Sequence, residues 1–391
     1  MSHFASHWRE IATSFLRIGA LAYGGPAIMG IMQAELQEKR RWVDKERFVE
    51  GLSLVNLLPG AGTTQLGIFL GYARGGWWGG LLAGLCFVAP AMCIMVALAA
   101  SYAALGATPL LRGALYGLGP VVLAIYAVAV YRLGRSAVTG FAPAAIALAA
   151  ALATALAPLG IATVLALAGG LGILLFASRR QGLAVLAAIT VVAAALHWAG
   201  AAPLPPATAE VGAGGTAVGL IDIAAFFFKV GAFTFGGGLT MIAFIQEQVV
   251  NQLHWLTPRE FVDGLALGQL TPGPILMVAA YVGYKLAGLA GALVGAAAIF
   301  LPSFILMLSL LPVFERVRKL QWMKAAMRGI GPAVIGMLAV ALLQMAPHAA
   351  PDLFAAVIFA AALSILLAWR VGAIKLVLGG ALLGTLRDRL A

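Results

Sequence analysis

Thirteen apolar segments of 16 to 28 residues take up most of this chain, at about 11–31, 51–73, 76–103, 110–131, 138–157, 159–177, 182–200, 219–244, 261–284, 287–312, 328–346, 352–369 and 371–386. A helix rises 1.5 Å per residue, so about 20 apolar residues cross a ~30 Å hydrocarbon core. Only 10% of the residues are charged and 62% are hydrophobic, whereas a soluble domain carries about a quarter charged residues. The pattern predicts an all-α polytopic membrane protein. Little chain is left over for a soluble catalytic or nucleotide-binding domain. The sequence also lacks a G-x-x-x-x-G-K-[ST] loop, which excludes a single-chain ATP-driven pump.

Charge and reactive residues narrow the function further. The formal net charge is +11, from 25 Lys and Arg against 14 acids. In a membrane protein this first marks cytoplasmic loops, and it also suits an anionic substrate; it does not call for nucleic acid. Cys86 and Cys93 are seven residues apart in one apolar run, about 10 Å along a helix and too far for a disulfide. His3, His7, His197, His254 and His348 show no metal-ligand spacing, so no metal or cofactor is expected. The first apolar run is interrupted at Gly24-Gly25-Pro26 and has no small-residue cleavage site, so it reads as part of the mature fold.

The chain repeats itself. A shift of 212 pairs Ile11, Phe15, Gly19, Gly24, Gly25 and Glu35 with Ile223, Phe227, Gly231, Gly236, Gly237 and Glu247. A shift of 213 pairs Trp42, Phe48, Gly51, Pro59 and Gly60 with Trp255, Phe261, Gly264, Pro272 and Gly273. The register then returns to 212 for Pro90 and Pro302 and for Gly119-Pro120 and Gly331-Pro332. Ordered matches of Gly, Pro, Trp and Glu mark a duplication. The expected halves are 1–200 and 218–391, joined by a Pro-rich linker at 201–217. Seven segments precede the second copy, and an odd number turns that copy upside down, giving an inverted repeat.

Segments 11–31 and 51–73 and their repeats carry Gly/Pro breaks near their middles. Such breaks persist at membrane depth only where protein or a water-lined cavity satisfies the freed backbone. They make either discontinuous spans or re-entrant hairpins. Counting all thirteen segments as crossings puts the basic loops 39–47 and 316–328 on opposite sides. Nine spans with four re-entrant segments gather most positives, and both loops, on the cytoplasmic side. The positive-inside rule favours the second arrangement.

The breaks are the candidate binding elements. A helix that restarts inside the bilayer presents unbonded N–H groups and the positive end of its dipole to an anion. Gly60 with Thr63, Thr64 and Gln65, and Gly273 with Gln269 and Thr271, supply such groups beside Pro59, Pro272 and Pro274. The bland alternative is kinking and close packing, with hydroxyls bonded back to the helix; symmetric placement favours the site. Gly24, Gly25 and Pro26, matched by Gly236 and Gly237, form a second pair of breaks, where successive glycines can turn N–H groups into a concavity. Arg17 and Lys229 are symmetry mates seven residues before those glycines, and serve either the substrate or the interface by snorkelling. Glu10 and Asp222, and Glu35 and Glu247, are the acids open to a coupling role. Helix-start capping for Glu10 and Asp222, and a solvated loop position for Glu35 and Glu247, are the better readings. Trp42 and Trp255 read as interface anchors.

Two halves, each with a Gly-Gly motif, then an acid, a Trp and a Pro-Gly motif, resemble the long two-domain form of the chromate ion transporter family. The resemblance covers nearly the whole chain. It maps onto Gly24, Gly25, Pro26, Pro59, Gly60 and Gln65, and onto Gly236, Gly237, Pro272, Gly273 and Pro274. It implies a multi-pass protein of the bacterial inner membrane that exports chromate and confers chromate resistance. Its partners would be chromate or a related oxyanion and the lipid bilayer, and a homodimer is compatible with it. The first copy departs from the frequent Pro-Gly-Pro, because Ala61 follows Gly60. Sulfate or a small organic anion is the alternative substrate. An intramembrane enzyme fits less well, since the apolar segments hold almost no acids, and an assembly subunit has no use for two symmetric sets of breaks.

Overall fold

The computed structural model describes residues 2–22, 25–105, 108–156, 160–198, 218–234, 240–313, 321–369 and 372–390. The linker 201–217 therefore lies outside the described residues. The first half runs α1 (Ser2–Leu21), α2 (Gly25–Met32), α3 (Lys45–Leu57), α4 (Gly62–Leu105), α5 (Pro109–Ala137), α6 (Phe141–Leu156), α7 (Ile161–Phe176) and α8 (Arg179–Trp198). The second runs α9 (Leu220–Ala232), α10 (Thr240–Ile245), α11 (Pro258–Leu270), α12 (Val278–Leu310), α13 (Gln321–Ala349), α14 (Leu353–Ala368) and α15 (Ala373–Leu390). Four helical stretches, 62–105, 109–137, 275–313 and 321–349, are long and apolar enough to cross a membrane. The protein is a multi-pass membrane protein.

The duplication is visible in the backbone itself. A wide π-helical turn follows α2 at Gln33–Lys39 and α10 at Gln246–Gln252. The residues after these turns, Arg41 and His254, share a left-handed conformation at φ 53° and 50°. Here the backbone bonds repeat at 213, setting Glu35 opposite Gln248. The acids Glu35 and Glu247 still hold the same local network, each accepting from side chains four and five residues on. Helices α4 and α12 each bend back at a matched point. Gly75-Gly76 and Ala287-Gly288 leave the helical region, with φ +64° at Gly76 and +58° at Gly288, which glycine alone adopts cheaply.

Those bends create hairpins. Gly71 packs against Gly79 and Ala83, and Gly283 against Gly291, so residues 62–74 and 278–286 run antiparallel to the longer limbs that follow. Only hydrogen side chains allow backbones this close. Midway along α1, Glu10 binds Arg74 at 2.9 Å and accepts from Trp42 Nε1 at 2.9 Å. The 40–44 loop and the 75–76 bend thus share one face. The chain enters from that face along α1, turns near Ala22 and leaves along α2; it enters again along α3, turns at 58–61 and leaves along the first limb of α4. Both excursions return to the face they left, the shape that re-entrant segments require.

The second half is inverted. The long limb of α4 begins at the first face and ends with Tyr102, whose hydroxyl donates to Asp263 of α11 at 3.1 Å. The hairpin tips of the second half therefore lie on the opposite face. Likewise, α12 ends with Met307, Leu308 and Leu311 packed into the cluster of Phe15, Trp42 and Phe48. Both basic stretches, 39–47 and the described part of 316–328, lie on one face, here called the basic face.

The outer helices are exchanged between halves. Helices α6 and α7 pack on α13, and α14 and α15 pack on α5. Arg132 of α5 donates to the carbonyl of Leu366 in α14 at 2.9 Å on the basic face. Arg387 of α15 binds Asp352 at 2.8 Å on the other. Neither half buries its apolar surface alone. Helix α8 packs against α7 and has no counterpart among the described residues.

Candidate functional site

The two Pro-Gly breaks meet in the interior. Gly60 N–H donates to the carbonyl of Thr234 at 2.6 Å, and Gly273 N–H donates to the carbonyl of Ala22 at 2.7 Å. Each break is thus closed by the end of the first helix of the other half. The exchange continues in side chains. Ala61 N–H donates to Ser303 Oγ at 2.8 Å. Gly273 faces Ala91, which holds the position in α4 that Ser303 holds in α12. Both glycines have positive φ, 126° and 91°. A Cβ at Gly60 would lie 2.5 Å from Gln65 Nε2, and one at Gly273 2.9 Å from Ala91 Cβ. The glycine N–H groups that sequence reasoning offers to an anion are engaged in joining the halves. The donors left at the first break are the opening N–H groups of α4, at Gly62, Thr63 and Thr64, which lack intrahelical acceptors as in any helix.

Buried polar groups surround that start. Thr63, Thr64 and Gln65 are all buried. Gln65 Nε2 donates to the carbonyl of Pro59 at 2.6 Å, whereas Gln65 Oε1 and the Thr64 hydroxyl have no hydrogen-bond partner. An unpaired buried hydroxyl costs about 1–3 kcal/mol, and a ligand that accepts its proton removes that cost. The second break is more fully satisfied. Thr271 bonds back to the carbonyl of Leu267 at 2.9 Å, and Gln269 Nε2 donates to the buried Tyr126 hydroxyl at 3.0 Å.

A cavity of about 130 Å³ reaches the first break. Met29, Val55, Asn56, Gly60 and Gly62 line one wall, and Ser136, Ala137, Met327, Gly331 and Val334 the other. The second wall is the end of α5 and the start of α13, so the cavity opens toward the basic face. At the same place in the second half the walls touch. A Cβ at Gly119 would lie 3.1 Å from the Ala349 carbonyl and 3.4 Å from Val262, while one at the matched Gly331 would meet only Ala137, at 3.8 Å. Val49 is 51% exposed and its mate Val262 1%; Ile31 is 41% exposed and Phe244 0%. The first-half hairpins stand away from α5 and α13, whereas in the second half α11 is docked on α5 and α10 on α13. The molecule is open on one face and shut on the other.

The remaining candidates separate into distinct places. Arg17 is exposed on the outer side of α1, away from the buried row Ile11, Phe15 and Ile18. Lys229 is partly buried in the last turn of α9. Neither is shown in contact with the breaks. Glu10 is held by Arg40, Arg74 and Trp42 at the basic face, and Asp222 is exposed. Glu35 binds Arg40 at 3.1 Å and Lys39 at 3.3 Å. The Arg40 guanidinium, aided by Lys39, holds the Glu35 carboxyl below its ordinary value. Glu247 accepts from Asn251 and Gln252. Gly24, Gly236 and Gly237 lie outside the described residues, and of Gly25 and Pro26 only the helical backbone at the start of α2 is described. Sequence reasoning missed Ser303, Tyr126 and Asp263. Ser303 had a signal, as a hydroxyl beside Pro302 inside an apolar run; Tyr126 had none.

Comparison with known proteins agrees with this architecture. Residues 9–174 and 221–385 each match the chromate transporter family. The chain is 31% identical over 382 residues to a chromate transport protein of Cupriavidus metallidurans, covering 96% of this chain and 92% of that one. It is 31% identical to a probable chromate transport protein of Synechococcus elongatus, over 90% and 88% of the two chains. It is 26% identical to an uncharacterised transporter of Methanocaldococcus jannaschii, over 86% and 84%. No solved structure matches. Two inverted halves, each matching the same family along nearly its whole length, make this chain a member of the chromate transporter family.

Proposed function

We propose that this protein exports chromate, a tetrahedral dianion, from the bacterial cytoplasm across the inner membrane and thereby confers chromate resistance. The observation that carries the reading is the cavity that runs from the basic face to the break at Gly60–Gly62. By the positive-inside rule that face is cytoplasmic, so a cytoplasmic anion has a path to the start of α4. There it meets the opening N–H groups of α4 and the positive end of its dipole, with the unpaired Thr64 hydroxyl buried two residues beyond Gly62. The chromate transport proteins among its relatives support the substrate.

Transport follows from the inverted repeat. Each half holds the same pair of hairpins, one pair docked and one apart. Exchanging their states closes the basic face and opens the other around a fixed centre, where Gly60 and Gly273 tie the halves together. Export of a dianion is favoured by a negative interior: about 2.3 kcal/mol per charge per 100 mV gives about 4.6 kcal/mol for two charges. Labelled chromate should accumulate in inside-out vesicles when the lumen is made positive, and cells expressing the protein should survive higher chromate. Uptake of sulfate but not chromate in the same vesicles would leave an anion transporter and overturn the substrate. Uptake that persists without a potential but needs a pH gradient would overturn the driving force.

A further inference from the structure

Asp263 is the one buried acid among the described residues, at 5% exposure, and neither the breaks nor the cavity uses it. It lies in the second turn of α11, on the closed face. The Tyr102 hydroxyl from α4 donates to Oδ2 at 3.1 Å. Arg259 Nε, one turn earlier, stands 3.3 Å from Oδ1, yet Oδ1 is buried without a hydrogen bond. The other charged and titratable groups around it are engaged elsewhere. Lys285 of α12 binds Glu260 at 2.8 Å, the Tyr281 hydroxyl donates to the Glu260 carbonyl at 3.0 Å, and Arg259 also reaches the His348 carbonyl at 3.4 Å. The matched position in the first half is Glu50. Its hairpin is undocked, its side chain is 31% exposed, and it pairs with Arg47 at 3.0 Å. The same acid position is therefore buried where the hairpin is docked and partly exposed in an ion pair where it is not.

We infer that Asp263 is a proton-binding latch of the outer face: docking of α11 takes its carboxyl out of water with a proton on it, and loss of that proton favours release of the hairpin. The physical reason is the cost of burying a carboxylate whose second oxygen lacks a donor. Arg259 is partly exposed and its attraction is correspondingly screened, so it offsets this cost only in part. In the released form Asp263 becomes partly exposed, as Glu50 is now, and gives up its proton to the outside. The proton returns to the same side from which it came, so the latch sets how often the outer face opens without itself importing a proton.

This inference rests on the alternating exchange proposed above, and one experiment separates the two. Val262→Cys, in a chain whose Cys86 and Cys93 are replaced, is exposed to an impermeant thiol reagent on right-side-out membranes, with and without Asp263→Asn. Asparagine stands for the neutral acid. The labelling rate relative to the Asp263→Asn background, which cancels the thiol's own titration, should rise on going from about pH 5 to pH 8. The rise should approach about tenfold for each unit by which docking changes the proton affinity. His348→Asn, added as a control for the histidine nearby, should leave that rise in place. A flat ratio, or a rise that disappears with His348→Asn instead, overturns the latch while leaving alternation intact. Val262→Cys that is never labelled from outside, at any pH, overturns the alternation on which it rests.

Discussion

Thr64 has a buried hydroxyl and no partner for it, at the point where α4 restarts inside the protein. A group retained for stability would be bonded, so its substitution separates stability from transport. Thr64→Val keeps the shape and removes an unsatisfied polar atom. Its melting temperature should match or exceed the parent's, while the chromate concentration for half-maximal uptake rises several-fold, in line with about 1 kcal/mol for one lost hydrogen bond. A stable protein with unchanged affinity would remove Thr64 from the site. At this scale the sequence is only partly readable. It points to Thr63, Thr64 and Gln65 because their neighbours are Gly and Pro. It cannot show that Gly60 N–H is engaged, since the acceptor Thr234 is far away in the chain and belongs to the other half. Asp263 is hidden for a different reason: five residues after Pro258 and beside Arg259, it reads as a solvated acid at a helix start.

At the scale of elements, helix ends on the membrane surface rely on ordinary capping, and α14 is the clearest case. Asp352 accepts from Ala355 N–H at 2.9 Å, takes the Tyr116 hydroxyl, and binds Arg387 at 2.8 Å. The Ala355 N–H, then Tyr116 and Arg387, hold its carboxyl below the ordinary value. A depressed carboxyl contributes stability that is present above its unfolded value, about 3.9, and is lost as pH falls through the lower folded one. Asp352→Ala should lower stability by about 1 kcal/mol at neutral pH, typical of a lost cap. That gap should narrow when melting is followed below about pH 4; a gap constant with pH would mean the charge plays no part. Breaks and bends were legible at this level because Gly and Pro have few other uses in apolar runs. The bends at Gly75-Gly76 and Ala287-Gly288 fall at the start of the segments that hydropathy marks at 76–103 and 287–312. The π-helical turns were not legible, because they alter hydrogen bonding without altering composition.

At the scale of the molecule, the charge distribution favours the re-entrant arrangement, and the Glu10 contacts with Arg74 and Trp42 show hairpins of the shape it needs. Single cysteines in 39–47 and 316–328 should both resist an impermeant thiol reagent in intact cells and both react in inside-out vesicles. Labelling of one loop but not the other in intact cells would restore thirteen crossings. What no residue pattern announced is the exchange of outer helices, α6 and α7 onto α13 and α14 and α15 onto α5. Every one of these helices is apolar on most sides, so periodicity does not say which neighbour it takes. Nor does a sequence repeat say which half is docked: Val49 and Val262 are the same residue in the same motif with opposite exposure.

Export by this route requires above all that the cavity from the basic face be the path of the anion. Asn56 lines it, is exposed, and lies four residues before Gly60. In a chain without other cysteines, Asn56→Cys should react with a charged thiol reagent added to inside-out vesicles. The modification should stop chromate uptake, and chromate should slow the reaction over times too short to oxidise the thiol. A cysteine there that reacts only from the other face, or whose modification leaves uptake unchanged, would contradict the path.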